Sequence, residues 1–323
     1  MIRRIILWLI ASLVGAGSSA AWSQDYPSRP VRIVVPYSAG GGVDVVARVL
    51  AIRMAAQLGQ AFIIENKPGG GGTIGVDAAA KSQPDGYTLL FTANSTHTTA
   101  PHLTKSLPYD TLNDFTPIAS VIDYSFTLVV NPRIPVNTVL ELIRYAKENP
   151  NSTTFSSAGP GSGTHLAGEL LKSATGAPML HVPYKGNAPA LMAGISGEVT
   201  CLFDTTGTAI NHISSGQVRP LAVSSLQRNR MLPDLPTMVE SGIPDFDVVG
   251  WYGFLGPANL PTAVTNKLIS AIKTTMGEPA VDEQLRAQGF DINVTALRDF
   301  AERIKSDHML WGRVVKQANI QAN

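Results

Sequence analysis

Short, nearly unbroken apolar runs alternate along this chain with longer stretches of helical period. VRIVVPY (31–37) precedes a helical pattern over 43–58, AFIIEN (61–66) precedes a shorter one over 73–82, and YTLLFTA (87–93) opens after the turn Pro84-Asp85-Gly86. Strands that are apolar throughout are covered on both faces, and in an alternating strand and helix order this predicts a parallel sheet between helix layers. The middle repeats the pattern. FTLVVNP (126–132) leads into a helix capped by Thr138, with Glu141 as its capping-box partner and Pro150 as its stop. STTFSSA (152–158), a helix over 162–175, MLHVPY (179–184), a helix over 187–195, EVTCLFD (198–204) and VRPLAVSS (218–225) follow. The segment 226–262, rich in Pro, Gly and Asp, reads as irregular, and helices are expected over 262–276, 279–288 and 296–317. In the last of these Leu297, Phe300, Ile304, Met309, Trp311 and Val315 fall mostly on one face and are expected in a core.

Two α/β blocks therefore flank a break near 120–126, with a second irregular crossing at 240–256. A chain of 323 residues suits two domains. The helices at the C-terminal end are expected to pack back on the first block. The expected division is a first lobe of 24–123 plus 250–323 and a second lobe of 124–249. Two lobes joined by two crossings form a cleft that closes on a ligand by hinge motion.

Residues 1–23 form a separate object. Arg3 and Arg4, an apolar run from Ile5 to about Val14, and then small residues give the order of a secretory signal peptide, with cleavage expected after Ala21 or Ser23. The run is too short for a bilayer span of roughly 20 residues. Loss of Arg3 and Arg4 takes the formal charge from +1 to −1. A near-neutral chain has no bulk attraction for nucleic acid or an anionic membrane, so any anion must be held locally. Cys201 is the single cysteine and sits in an apolar run, which excludes an intrachain disulfide and suits a small buried hydrophobe. An exported chain of this length without disulfides is expected in a bacterial periplasm.

The sequence argues against several chemistries. SAGGGVD (38–44) lacks the lysine of a P-loop, and GPGSGT (159–164) lacks the spacing of a dinucleotide fingerprint. Neither Ser38, Ser162 nor Ser196 sits in G-x-S-x-G, and the six histidines form no zinc-binding spacing. No cofactor and no metal are expected. What remains is anion capture by helix starts, whose first N–H groups have no intrahelical partner. One start follows the glycines at 40–42. The other follows Ser162, a candidate N-cap, where Gly163, Thr164 and His165 offer N–H groups. Each loop lies beyond the carboxyl end of a strand, where ligands bind in open α/β sheets. The plain alternatives are a tight turn at 40–42 and a cap at Ser162. Asp44 is expected to cap or pair with its own helix. His165 either packs or touches the ligand. Asp204, ending a strand at FDTT, lies on the ligand side and selects a cationic group if it touches one.

At this point four segments, YPSRPVRIVVPYSAGGGVDVVARVL, IIENKPGGGGTIGVDAAAKSQPDGYTLLF, VPYKGNAPALMAGISGEVTCLFD and GWYGFLGPANLP, resemble the Bug family, the extracytoplasmic solute receptors of tripartite tricarboxylate transporters. The resemblance runs from Tyr26 to the last helix. It implies a two-lobed Venus flytrap of the type II periplasmic-binding-protein fold, which binds a small carboxylate: a mono- or dicarboxylate, an aromatic acid or an amino acid. Carried onto this chain, the family's grip implies ligand contacts from Tyr37, Ser38, Ala39 and Gly40, from Thr92, Ala93 and Asn94, and from Ser162, Gly163, Thr164 and His165, with Asp204 as the acidic strand end. Ala39 stands where family members commonly carry proline. The implied protein is a monomer that is not an enzyme. Its partners are the membrane permease subunits of a tripartite transporter or, alternatively, a sensor kinase; a periplasmic hydrolase is the other class weighed.

Overall fold

The computed structural model describes residues 26–184, 186–317 and 320. The expected signal peptide lies outside the described residues. The first block runs β1 (Val31–Val35), α1 (Gly42–Leu58), β2 (Phe62–Asn66), α2 (Thr73–Ala80) and β3 (Thr88–Ala93), followed by two short helical turns, α3 (Ser95–Thr98) and α4 (Ala100–Leu103). The second runs β4 (Phe115–Val130), α5 (Val139–Glu148), β5 (Thr154–Ser157), α6 (Gly163–Thr175), β6 (Leu180–Pro183), α7 (Asn187–Ser196), β7 (Cys201–Thr205), α8 (Thr206–Ser214) and β8 (Arg219–Val223). The chain ends with β9 (Val249–Pro257), α9 (Thr262–Met276), α10 (Pro279–Arg286), β10 (Asp291–Ala296) and α11 (Leu297–Gln317).

The fold is α/β and two-lobed. Within each lobe the strands first met in sequence pair in parallel: β1 with β2 and β3, and β5 with β6 and β7. The expectation of a parallel sheet fails for the rest. β9 runs antiparallel to β3 and β4, while β7, β8 and β10 run antiparallel to β4. The strands join in one path, β2-β1-β3-β9-β4-β7-β5-β6.

The crossings also differ from expectation. The break anticipated near 120–126 is the middle of β4, which pairs with β9 and β10 through its first part and with β7 and β8 from Phe126 onward. The irregular crossing anticipated at 240–256 contains β9. Its glycines read as turn signals, but each makes room for a ring or branched side chain. Tyr124 fills the space beside Gly250, Leu260 that beside Gly256, and a Cβ on Gly253 would lie 2.7 Å from Phe300.

The first lobe buries both faces of its sheet. Val31, Ile33, Leu89 and Phe91 point to one side, against Val46, Leu50, Phe254 and Leu268, whereas Val34 and Leu90 point to the other, against Trp251, Phe300 and Ile304. The second lobe packs Phe126, Leu128, Phe155, Leu166, Phe203 and Val248. Helices α9 and α10 pack on the first core, as expected. Helix α11 does not stay there: Phe300 and Ile304 enter the first lobe, whereas Trp311, Val314 and Val315 enter the core of the second. Leu297 and Met309, expected in the core, are exposed: Met309 lies on the face of α11 opposite Phe300, Ile304, Trp311 and Val315, and Leu297 is the first residue of the helix, at φ +51°. Thr138 and Ser162 cap their helices as the sequence suggests, and Cys201 is buried.

Candidate functional site

Ser162 organises the start of α6. Its hydroxyl accepts the His165 N–H at 3.2 Å and donates to the Gly159 carbonyl at 2.7 Å. The Thr164 hydroxyl accepts the Ala158 N–H at 3.0 Å and lies 3.1 Å from that of Ser162. Among the described residues nothing accepts from the N–H of Gly163 or Thr164. Gly163 has no room for a side chain, since a Cβ there would lie 2.7 Å from the Phe126 ring.

His165 belongs to the support of this loop. It is buried, stacks on His181 with centroids 3.9 Å apart, and accepts the Gly161 N–H on Nδ1 at 3.0 Å. That bond leaves the proton on Nε2. Burial, and secondarily the neighbouring His181 and Lys172, push its pKa down to about 3, so the imidazole is neutral at physiological pH.

The loop after β1 is fixed by Asp44. The carboxylate accepts from Gly40 N–H at 2.9 Å, from Asn66 at 2.9 Å and from Arg48 through two nitrogens, each at 2.9 Å. Bonding to Arg48 leads the causes that lower its pKa to about 2. Asp44 thus pairs with its own helix, and Gly40 at φ +85° takes the left-handed conformation that lets its N–H turn back to it. Tyr37 reaches further, its hydroxyl 3.4 Å from Ser95 Oγ.

Between the lobes lies a cavity of about 200 Å³. The first lobe contributes Asn94, Ser95, Thr99 and Tyr252, and the second Ser162, Gly163, Thr164, Leu166, Asn187 and Thr205. Tyr124 and Phe126 from β4, Val248 and Val249 at the start of β9, and Trp311 of α11 complete the lining. No charged side chain lines it among the described residues. Leu103 of α4 fills the space beside Gly161, which puts the segment after β3 against the loop before α6.

Of the residues expected at the site, Asn94, Ser162, Gly163 and Thr164 line this cavity together. The others do not. Ser38, Ala39 and Gly40 are exposed on the β1 loop outside the lining, Tyr37 touches it only through Ser95, and His165 packs behind it. Thr92 and Ala93 are buried beneath it in β3, where the Thr92 hydroxyl meets that of Thr96 at 2.9 Å. Asp204 is 1% exposed and accepts from the Thr208 hydroxyl, while its neighbour Thr205 faces the cavity. Burial pushes the Asp204 carboxyl up to about 6, against the lowering effect of Thr208 and the Thr205 N–H. Tyr124, Phe126 and Tyr252 were not singled out in the sequence, although Tyr124 and Tyr252 fall within the two stretches expected to cross between lobes; Trp311, expected only as a core residue, also lines the cavity.

Residues 46–320 match the tripartite tricarboxylate transporter family receptor, TctC. The chain belongs to this receptor family. BugT of Bordetella pertussis is 35% identical to it over 304 residues, 94% of this chain and 93% of BugT. Among solved TctC-like structures, Rpa4515 of R. palustris with adipate is 32% identical with a TM-score of 0.81, covering 93% of this chain and all of its own. MatC of Rhodopseudomonas palustris with bound malate is 30% identical with a TM-score of 0.75, over 90% of this chain and all of MatC. The two-lobed arrangement is thus that of the TctC solute-binding receptors.

Proposed function

We propose that this TctC-family protein is a periplasmic receptor that holds one small organic carboxylate between its lobes and presents it to the permease subunits of a tripartite transporter. The observation that carries the reading is the start of α6. There the main-chain N–H groups of Gly163 and Thr164, without a partner among the described residues, border an inter-lobe cavity, and hydroxyls and amides of Asn94, Ser95, Thr99 and Asn187 share its lining. The N-terminal end of a helix carries partial positive charge, which meets a carboxylate without a cationic side chain. The structural neighbours solved with adipate and malate support this ligand class. The lobes divide near 124 and 249, with α11 shared between them. The leader is cleaved on export. Among the described residues the cavity lining holds no histidine or carboxylate beside its hydroxyls to activate a nucleophile, which favours release of the ligand unchanged.

The test is a thermal-shift panel of small carboxylates followed by calorimetry. A ligand that binds only the folded state raises the Tm. Binding at 1:1 stoichiometry with no consumption over hours is expected. Silence towards every acid, with clear binding of a sugar or a cation, overturns the reading.

A further inference from the structure

The chain between β3 and β4 runs along the cavity and is pinned to the second lobe. It leaves β3 at Asn94, whose N–H donates to the Trp251 carbonyl at 3.0 Å, and Asn94, Ser95 and Thr99 line the cavity on the way. In α4, Leu103 turns from its own lobe and packs with the core of the second. Its side chain occupies the room that Gly161 leaves, and a Cβ on Gly161 would lie 3.9 Å from that of Leu103. His102 sits against Gly312 of α11, where a Cβ would lie 2.8 Å from the ring, and its Nε2 donates to the His308 carbonyl at 2.9 Å. The facing surface thus lacks a side chain at both places where neighbouring residues of α4 dock.

The seat is firmer than the bolt. Gly161 N–H is held by His165 Nδ1 at 3.0 Å, and His165 is buried and stacked on His181. By contrast α4 is a single helical turn, too short to be stable alone, and depends on these contacts to stay in place. Where Gly207 at the start of α8 meets Gln288 and Gly289, the lobes touch main chain on main chain. That contact lies beside β4, whose Ser125 carbonyl accepts from the Thr206 hydroxyl at 3.1 Å.

Given the receptor reading above, a solute must enter and leave a cavity that this segment borders. We infer that Leu103 is the latch of the cavity: it parts from Gly161 to admit a solute and re-seats to retain it. Leu103 does not line the cavity, so it acts on the solute only through the segment that it holds down.

The test uses acrylamide, a small neutral quencher, and so does not depend on which acid is bound. Trp311 lines the cavity, Trp251 is fully buried, and these are the two tryptophans after residue 23. Quenching lost in Trp311→Phe belongs to Trp311. Leu103→Ala is expected to raise the quenching of Trp311 roughly two- to fivefold, because the contact that favours the closed form is gone. Leu103→Met, of similar volume, should restore the wild-type value. Leu103→Cys with Gly161→Cys supplies a lock, since 3.9 Å between the two Cβ positions lies within disulfide range. Cys201 stays out of the exchange, being buried with its thiol pushed up to about 12. The oxidised double variant should shield Trp311, and dithiothreitol should make it as quenchable as Leu103→Ala. Gly161 has φ +76°, so the single variants carry the test if the double variant does not fold. Wild-type quenching in Leu103→Ala overturns the latch. So does a folded double variant that forms no disulfide, or one whose oxidised and reduced forms quench alike. The expected quenching with every carboxylate silent removes the receptor reading and leaves a latched cavity for another solute.

Discussion

Gly42, the first residue of α1, has the hydroxyl of Tyr252 where its own side chain would be. A Cβ there would lie 2.8 Å from that oxygen and 3.2 Å from Phe290. Tyr252 also lines the inter-lobe cavity, so a backbone position in the first loop governs one wall of the candidate site. Gly42→Ala is expected to displace Tyr252 and Phe290, to cost about 1–3 kcal/mol as overpacking does, and to weaken ligand binding. Gly41→Ala is the control, because its Cβ would meet only the Ser38 carbonyl at 3.7 Å. Thermal unfolding and calorimetry on both variants measure the difference; equal values for the two would mean that Tyr252 moves aside freely.

The α6 start separates main chain from side chain. Thr164→Pro deletes one of the two free N–H groups at a position in the first turn, where proline is tolerated. Thr164→Ala removes only the hydroxyl that holds Ala158 N–H. The proline variant is expected to bind its carboxylate about tenfold more weakly than the alanine variant, the size of a lost charge-assisted hydrogen bond. Unchanged affinity in the proline variant would take this helix out of the site.

Two aspartates give stability profiles of opposite sign. Burial raises the Asp204 pKa to about 6, so the folded state holds the proton more readily than the unfolded chain. Its contribution is greatest below about pH 4 and is lost as pH rises through about 6. Asp204→Asn, which keeps an acceptor for Thr208, should flatten that window and stabilise the protein at neutral pH by about 2 kcal/mol. Asp44 is lowered to about 2, so its contribution is present above about pH 4 and is lost as pH falls through 2. Asp44→Asn should therefore destabilise at neutral pH and match wild type near pH 2. Urea unfolding from pH 2 to 8 reads both; a common slope for the two variants would contradict the assignments.

Trp311 offers an optical readout. It lines the cavity, whereas Trp251 is fully buried and donates its indole N–H to Asp307 at 2.8 Å. Ligand binding should change tryptophan fluorescence in wild type and in Tyr252→Phe, and the change should vanish in Trp311→Phe. Persistence of the signal in Trp311→Phe would place the ligand elsewhere.

Local signals were legible because their partners are near in sequence. Ser162 caps His165, Thr138 caps Glu141, and both form as the pattern suggests. Asp44 was expected to pair with its own helix, and Arg48 sits one turn away. What could not be read depends on residues distant along the chain. The glycines of β9 look like turns until Tyr124, Phe300 and Leu260 occupy the space they leave. Tyr124 and Tyr252 carry no motif, and their role arises when β4 and β9 pair antiparallel, a direction that hydrophobic period does not encode. The grip expected from Ser38, Ala39 and Gly40 came from the family resemblance, and in this structure those residues do not line the cavity.

The last helix also sets the order in which the molecule can be completed. Phe300 and Ile304 fill one core and Trp311, Val314 and Val315 the other. A chain emerging from the ribosome N-terminal end first leaves both cores open until its final residues appear. Neither half becomes a finished unit early, and apolar surface stays exposed until synthesis ends. The same helix is then a strut with one foot in each lobe, tying the two cores together.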